Sequence, residues 1–324
     1  MSMTKPKHAV ALALALACAA APAVRAQEAW PTRNVRFLVA FAPGGIGDII
    51  GRFVGQALGE KWGHAAIIEN RGGGGGNIGA AMAARAEPDG YTVLVTTSSF
   101  TVNLSLYDNP GYAFPDFRTA GVAAISPNII VAPPGSRYNT LPEFLAAAKT
   151  GAFSFGSAGV GTTPHLTGEM IFRLLGKVDV RHAPFTGAGP AVVAAMGGHV
   201  QVAVVALPAA IEQVKSGTLK ALAVTTKLRL PDLPNVPTVK ETGVGDVETA
   251  TMVAFFMPAK TPPAIVAKFN ADLNAAIASG VLDKPFASAG VDPLTLDVAQ
   301  AGAFVADEIQ KWAAVVKAAN IKPE

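Results

Sequence analysis

From residue 35 onward the chain alternates short apolar runs with stretches of helical periodicity, and it writes that pattern twice. Residues 35–41 (Val-Arg-Phe-Leu-Val-Ala-Phe) form an uninterrupted run closed by Pro43-Gly44-Gly45. Ile49, Ile50, Phe53, Val54, Ala57 and Leu58 then recur at the spacing of one helical face. Strand, helix and strand follow at 65–69, 79–86 and 92–97. A second series begins with a strand at 128–132, a helix at 141–149 opened by Thr140 and Pro142, a strand at 154–156 and a helix at 164–175. Helices at 190–196 and 209–216 and strands at 200–206 and 221–225 continue it, and a strand at 249–257 precedes three helices at 264–279, 282–289 and 299–319. Alternation of this kind lays helices on a mostly parallel sheet, which makes the chain α/β. A single core stops growing at roughly 250–300 residues, so two lobes are expected. Their boundaries are read as 27–126 plus 250–324 for the first and 127–249 for the second, with the backbone crossing twice between them.

The first 26 residues stand outside this pattern. Lys5, Lys7 and His8 precede the uncharged run 9–21, and Val24-Arg25-Ala26 ends in a small residue, the form of a cleaved export signal. The run is too short to span a bilayer as a helix. The rival is a lipoprotein signal acylated at Cys18, although Ala15-Leu16-Ala17 lacks a large aliphatic residue three before the cysteine. Of 324 residues, 26 are basic and 23 acidic; removing the leader takes Lys5, Lys7 and Arg25 and leaves 23 against 23. The exported chain is thus formally neutral and free of cysteine, which suits an oxidising compartment. A neutral chain lacks the basic stripe that a phosphate backbone demands, so no nucleic acid partner is expected.

The densest chemistry lies in turns that follow strands. Ala42-Pro43-Gly44-Gly45-Ile46-Gly47-Asp48 leads from a strand into a helix, where glycine allows close backbone approach and a helix N-terminus presents free N–H groups to an anion. The spacing fits neither a dinucleotide fingerprint nor a phosphate loop. The same residues also read as a plain turn, with Asp48 as a capping carboxylate. A second turn of the type, 156–165, carries Ser157, Gly159, Gly161, Thr162, Thr163 and His165, with Thr163 as the expected cap before Pro164. The loop Ser98-Ser99-Phe100-Thr101-Val102-Asn103 follows another strand end, the edge at which open α/β sheets bind ligands. The run Gly72 to Gly76 reads most simply as a flexible turn.

Catalysis and metal binding find little support. The leaderless chain has four histidines (His64, His165, His182, His199), no ligand-spaced pair among them, and no carboxylate pair at a diagnostic spacing. Phe155-Gly156-Ser157-Ala158-Gly159 lacks the first glycine of a nucleophile elbow. No cofactor, no metal and no enzymatic activity are expected.

Along its length the sequence resembles the solute-binding receptors of tripartite tricarboxylate transporters, the Bug-type periplasmic proteins. The resemblance rests on Trp30-Pro31 with 35–41, Pro43-Gly44-Gly45 with Asp48, Glu69-Asn70-Arg71 with Gly75-Gly76 and Ile78-Gly79, and Pro88-Asp89-Gly90-Tyr91-Thr92. It continues through Leu106-Tyr107, Gly156-Ser157 with Gly159, Gly161 and His165-Leu166, Gly197-Gly198 with Val200, Leu222-Ala223-Val224-Thr225, Pro234-Asn235-Val236-Pro237-Thr238 and Lys311-Trp312. It implies a type II periplasmic-binding-protein fold whose two α/β lobes close on a small organic carboxylate, often through ordered waters. Delivery would be to the membrane subunits of a transporter, with the receptor a monomer; a sensor presenting its closed form to a membrane signalling partner is the alternative. In the family the first carboxylate is held by the loops that here are 43–48 and 157–163.

This chain departs from the family pattern where a ligand's far end would lie. Ala203 and Ala206 stand where Asp is common, Gly47 where a hydroxyl is usual, Leu104 where Pro follows the asparagine, and Phe185 and Thr186 where Tyr and Lys are typical. Each loses a polar or charged group. The expected ligand is therefore an aliphatic dicarboxylate or an aromatic carboxylate rather than an amino acid.

Overall fold

The computed structural model describes residues 30–319 and 321–323. The export signal and Cys18 lie outside the described residues. In chain order the elements are β1 (Val35–Val39), α1 (Ile46–Trp62), β2 (Ala66–Asn70), α2 (Asn77–Ala84), β3 (Thr92–Thr97), α3 (Ser99–Leu106) and β4 (Phe117–Ala132). Then come α4 (Leu141–Ala148), β5 (Phe153–Ser157), α5 (Thr163–Gly168) running into a π-helical stretch Glu169–Leu175, β6 (Val180–Pro184), α6 (Ala188–Met196) and β7 (Val202–Ala206). The chain closes with α7 (Ile211–Lys215), β8 (Lys220–Val224), β9 (Ala250–Pro258), α8 (Pro263–Ala278), α9 (Asp283–Ala289), β10 (Asp292–Pro293) and α10 (Val298–Ala319).

The strands join in one sheet of order β2-β1-β3-β9-β4-β7-β5-β6, with β8 and β10 also paired to β4. It is mixed rather than mostly parallel. Each side keeps a parallel trio, β2-β1-β3 and β7-β5-β6, because helical crossovers connect those strands. Between the trios β4 and β9 run antiparallel to their neighbours. Strand β4 spans 16 residues, pairing with β9 up to Pro127 and with β7 and β8 from Asn128 onward. It thus starts 11 residues earlier than the expected strand at 128–132.

Packing follows strand periodicity. In β7, Val202 and Val204 join Phe144, Phe155 and Phe172 in one core, whereas Ala203 and Val205 join the α6 residues Ala191, Val192 and Ala195 in another. On the other side Phe37, Phe255 and Phe269 meet edge to face and tilted, with centroids 5.4–6.1 Å apart. Where β4 and β9 pass from one side to the other, polar side chains are buried together. Asn128 Nδ2 donates to Thr167 and Thr249, and its Oδ1 accepts from Thr251. Among the described residues no helix is long and apolar enough to cross a membrane.

Candidate functional site

Helix α1 starts at the end of β1 without a side-chain cap, because its N-cap residue is Gly45. The loop is held from behind instead. The Asp48 carboxylate accepts from the Gly44 N–H at 3.0 Å, from Asn70 Nδ2 at 3.0 Å and from the Arg52 guanidinium at 2.9 Å. Burial would raise its pKa, but the hydrogen bonds from Arg52, Gly44 and Asn70 outweigh burial and hold it below the ordinary carboxylate range. Asp48 is therefore an anchor turned away from the opening. The first turn of a helix has four N–H groups without intrahelical acceptors. Here those of Gly45, Ile46, Gly47 and Asp48 donate to no other described group, the first helical donor being Ile49 to Gly45 O.

The second glycine turn is differently organised. The cap of α5 is Thr162 rather than Thr163: its hydroxyl accepts from the His165 N–H and donates to Gly159 O at 2.8 Å. Thr162 N–H also goes to Gly159 O, Gly159 N–H to Ser157 Oγ, and Gly161 N–H to His165 Nδ1. That last bond makes Nδ1 an acceptor and leaves the proton of the neutral ring on Nε2. Ser157 Oγ lies 2.7 Å from His182 Nε2, and the His165 and His182 rings stack at 4.0 Å. Ser157 is fully buried, His165 and His182 nearly so, and the three lie under the loop, outside the cavity lining.

The two sides of the sheet touch through backbone. Ala42 N–H donates to Thr186 O at 3.1 Å, and a Cβ on Gly75 would overlap the Val160 carbonyl oxygen. Across this seam lies a cavity of about 20 Å3, lined from one side by Phe41, Gly45, Ile46, Gly47, Thr97 and Thr251 and from the other by Ala158, Thr162, Pro164, Ala188 and Ala206. None of these residues is charged. At its mouth the first turn of α6 comes up to the first turn of α1: a Cβ on Gly45 would stand 3.7 Å from the Ala188 nitrogen. The amides of Ala188 and Gly189 have no acceptor among the described residues. Two positive helix ends brought together repel, and an anion between them converts that repulsion into attraction.

Of the residues singled out from sequence, Gly45, Ile46, Gly47, Thr162 and Ala206 line this cavity. Pro43 and Gly44 border it, packed on Gly189. The segment after β3 is the helix α3 rather than a loop: Ser98 Oγ accepts from the Met252 N–H, Ser99 Oγ meets Thr97 Oγ1, and Asn103 Nδ2 donates to Gly75 O and Asn77 Oδ1. Thr163 bonds to Thr251, while Gly159 and Gly161 serve the fold of their own loop. The Phe185 ring packs against Gly156, and Thr186 contributes its carbonyl to the seam. Phe41, Thr97, Ala158, Pro164, Ala188 and Thr251 were not singled out. Ala188 had a signal, the glycine pair Gly187 and Gly189 around a helix start.

Residues 50–321 match the profile of the tripartite tricarboxylate transporter family receptors. The chain belongs to that family. It is 32% identical to protein BugT of Bordetella pertussis over 327 residues, covering 99% of each chain. Among solved structures it is similar to the periplasmic binding protein BugD, at 31% identity and TM-score 0.86, over 91% of this chain and 100% of that one. R. palustris Rpa4515 with adipate is similar at the same identity, TM-score and coverage. The fold is that of these periplasmic binding proteins, and the family consists of solute-binding receptors rather than enzymes.

Proposed function

We propose that this receptor captures a small organic carboxylate between the first turns of α1 and α6 and delivers it to the membrane subunits of a tripartite transporter. The observation that carries the reading is the set of uncommitted amides at Gly45, Ile46, Gly47 and Ala188, in a cavity with no charged side chain. Hydrogen bonds to a charged acceptor contribute about 1.5–3 kcal/mol each, and fixed backbone dipoles lose little freedom on binding. The adipate bound to a structural relative supports a carboxylate ligand of this size.

A cavity of about 20 Å3 holds roughly one water. A carboxylate with a carbon body therefore requires the two walls to part. Residues 27–126 plus 250–324 and residues 127–249 are the lobes that we assign to this movement, with β4 and β9 as the two connecting strands. In a calorimetric titration of the purified protein, adipate is expected to bind and its diamide is not. Equal binding of the two would refute the carboxylate reading.

A further inference from the structure

Beside the carboxylate cavity the chain forms a groove of about 400 Å3, against about 20 Å3 for the cavity between α1 and α6. Resting on the delivery reading, we propose that this groove docks an extracytoplasmic segment of the transporter's membrane subunits, apolar in body and flanked by Lys or Arg.

The walls come from both of the lobes assigned above. Leu207, Ile211 and Leu230 stand on one side, in 127–249, and Leu282, Phe286 and Val291 on the other, in 250–324. Movement of the lobes therefore reshapes the groove. One peptide bond also joins it to the ligand site. Ala206 lines the carboxylate cavity, whereas Leu207 lines the groove and packs on Gly290 of the opposite wall, where a Cβ would stand 2.5 Å from Leu207 Cδ2. A partner fitted to the groove with the walls approached favours that state, and by reciprocity the carboxylate favours the partner. Parted walls offer a different groove, so the contact distinguishes loaded receptor from empty.

Charge sets the chemistry of the partner. Asp232, Asp283 and Asp292 stand exposed along the groove, and no lysine, arginine or histidine lines it. Asp232 is bound to Lys215. Among the described residues the Asp283 and Asp292 carboxylates have no ion pair, and Lys284, next to Asp283 in the chain, bonds to neither. Apolar surface continues outward: Val281, 52% exposed, and Leu228, 80% exposed, adjoin the lining residues Leu282, Thr226 and Leu230 in sequence. An uncompensated acidic rim around carbon surface selects a basic, amphipathic partner and repels an acidic one.

The test uses the full receptor in cells together with its own membrane subunits, with a photo-cross-linking residue in place of Val281, of Leu228 or, as a control outside the groove, of Lys149. Cross-links to a membrane subunit are expected from 281 and 228 about tenfold more often than from 149, and adipate is expected to raise them about threefold. Asp283→Lys combined with Asp292→Lys should lower the yield from 228 about tenfold and leave the adipate affinity of the purified receptor within about twofold. Cross-links from 149 alone, or a charge-reversed receptor that cross-links as well as its parent, overturn the groove and leave delivery standing. A yield unchanged by adipate overturns the dependence on lobe position. Absence of cross-links from every position overturns the groove; if those cells also fail to take up adipate, delivery falls with it.

Discussion

Two glycine-rich turns, 42–48 and 156–165, each carry a strand end into a helix, yet they use their backbone amides in opposite ways. The first turn is braced from behind by Asp48 and keeps four N–H groups uncommitted. The second spends the amides of Gly159, Gly161, Thr162 and His165 on acceptors inside itself. The first turn presents an unbroken run of open amides, whereas the second leaves open only those of Ala158, Val160 and Thr163 among amides spent on its own shape. Similar composition in similar positions therefore does not imply similar chemistry; the destination of each proton decides it.

The contrast is exposed most strongly by acid. Burial first, then the Arg173 charge, lowers the His165 pKa to about 4; burial first, then His165, lowers that of His182 to about 3. Both rings stay neutral in the folded chain, whereas unfolded histidine takes up its proton near 6.5. Their contribution is complete above about pH 6.5 and is lost as pH falls toward 4 and 3, at up to ~1.4 kcal/mol per pH unit for each ring. Urea unfolding at pH 7 and pH 5 is expected to differ by about 2–4 kcal/mol, and His182→Gln to flatten the difference. Identical midpoints would mean that the second turn does not rest on neutral histidines.

The seam between the turns is tested next. Gly75 has φ 61 and ψ 25, and any side chain there meets the Val160 carbonyl when the walls approach. Gly75→Ala is expected to weaken ligand binding by on the order of 100-fold, by disfavouring the approached state. Small-angle scattering with ligand should then retain the larger radius seen without it; contraction like that of the wild type would separate the seam from binding. A smaller effect follows at the second turn. Thr162→Val removes the α5 cap and should cost about 1 kcal/mol of stability while changing carboxylate affinity less than threefold. A tenfold loss of affinity would give the second turn a direct part in binding.

Much of the fold was legible because buried strands such as 35–41 and 92–97 announce themselves by composition, and the family resemblance ran through the whole chain. Strand β4 was underread: its first part, Thr119-Ala120-Gly121-Val122-Ala123-Ala124, is too poor in branched residues to signal a strand. Helix α3 passed for a loop because Ser99, Thr101 and Asn103 are polar, though all three are buried. At the site the glycines pointed to the α1 turn, but not to which amides stay open. Ala188 and Ala158 matter through backbone nitrogen, on which residue identity says almost nothing. That Thr162 donates to Gly159 O and Thr251 to Asn128 Oδ1 depends on partners that only the folded chain assigns.

The most direct measurement removes one amide proton from the first turn. Ile46 is the first residue of α1 and Gly45 before it is extended, at φ −90 and ψ 167, so proline fits at 46 without breaking the helix. Ile46→Ala serves as the reference for the lost side chain. The affinity of Ile46→Pro for the best-bound carboxylate, compared with that of Ile46→Ala, isolates the N–H. The two variants are expected to be about equally stable and to differ about tenfold or more in affinity, the effect of one hydrogen bond to a charged group. Equal affinities would contradict the assignment of the carboxylate to the first turn of α1.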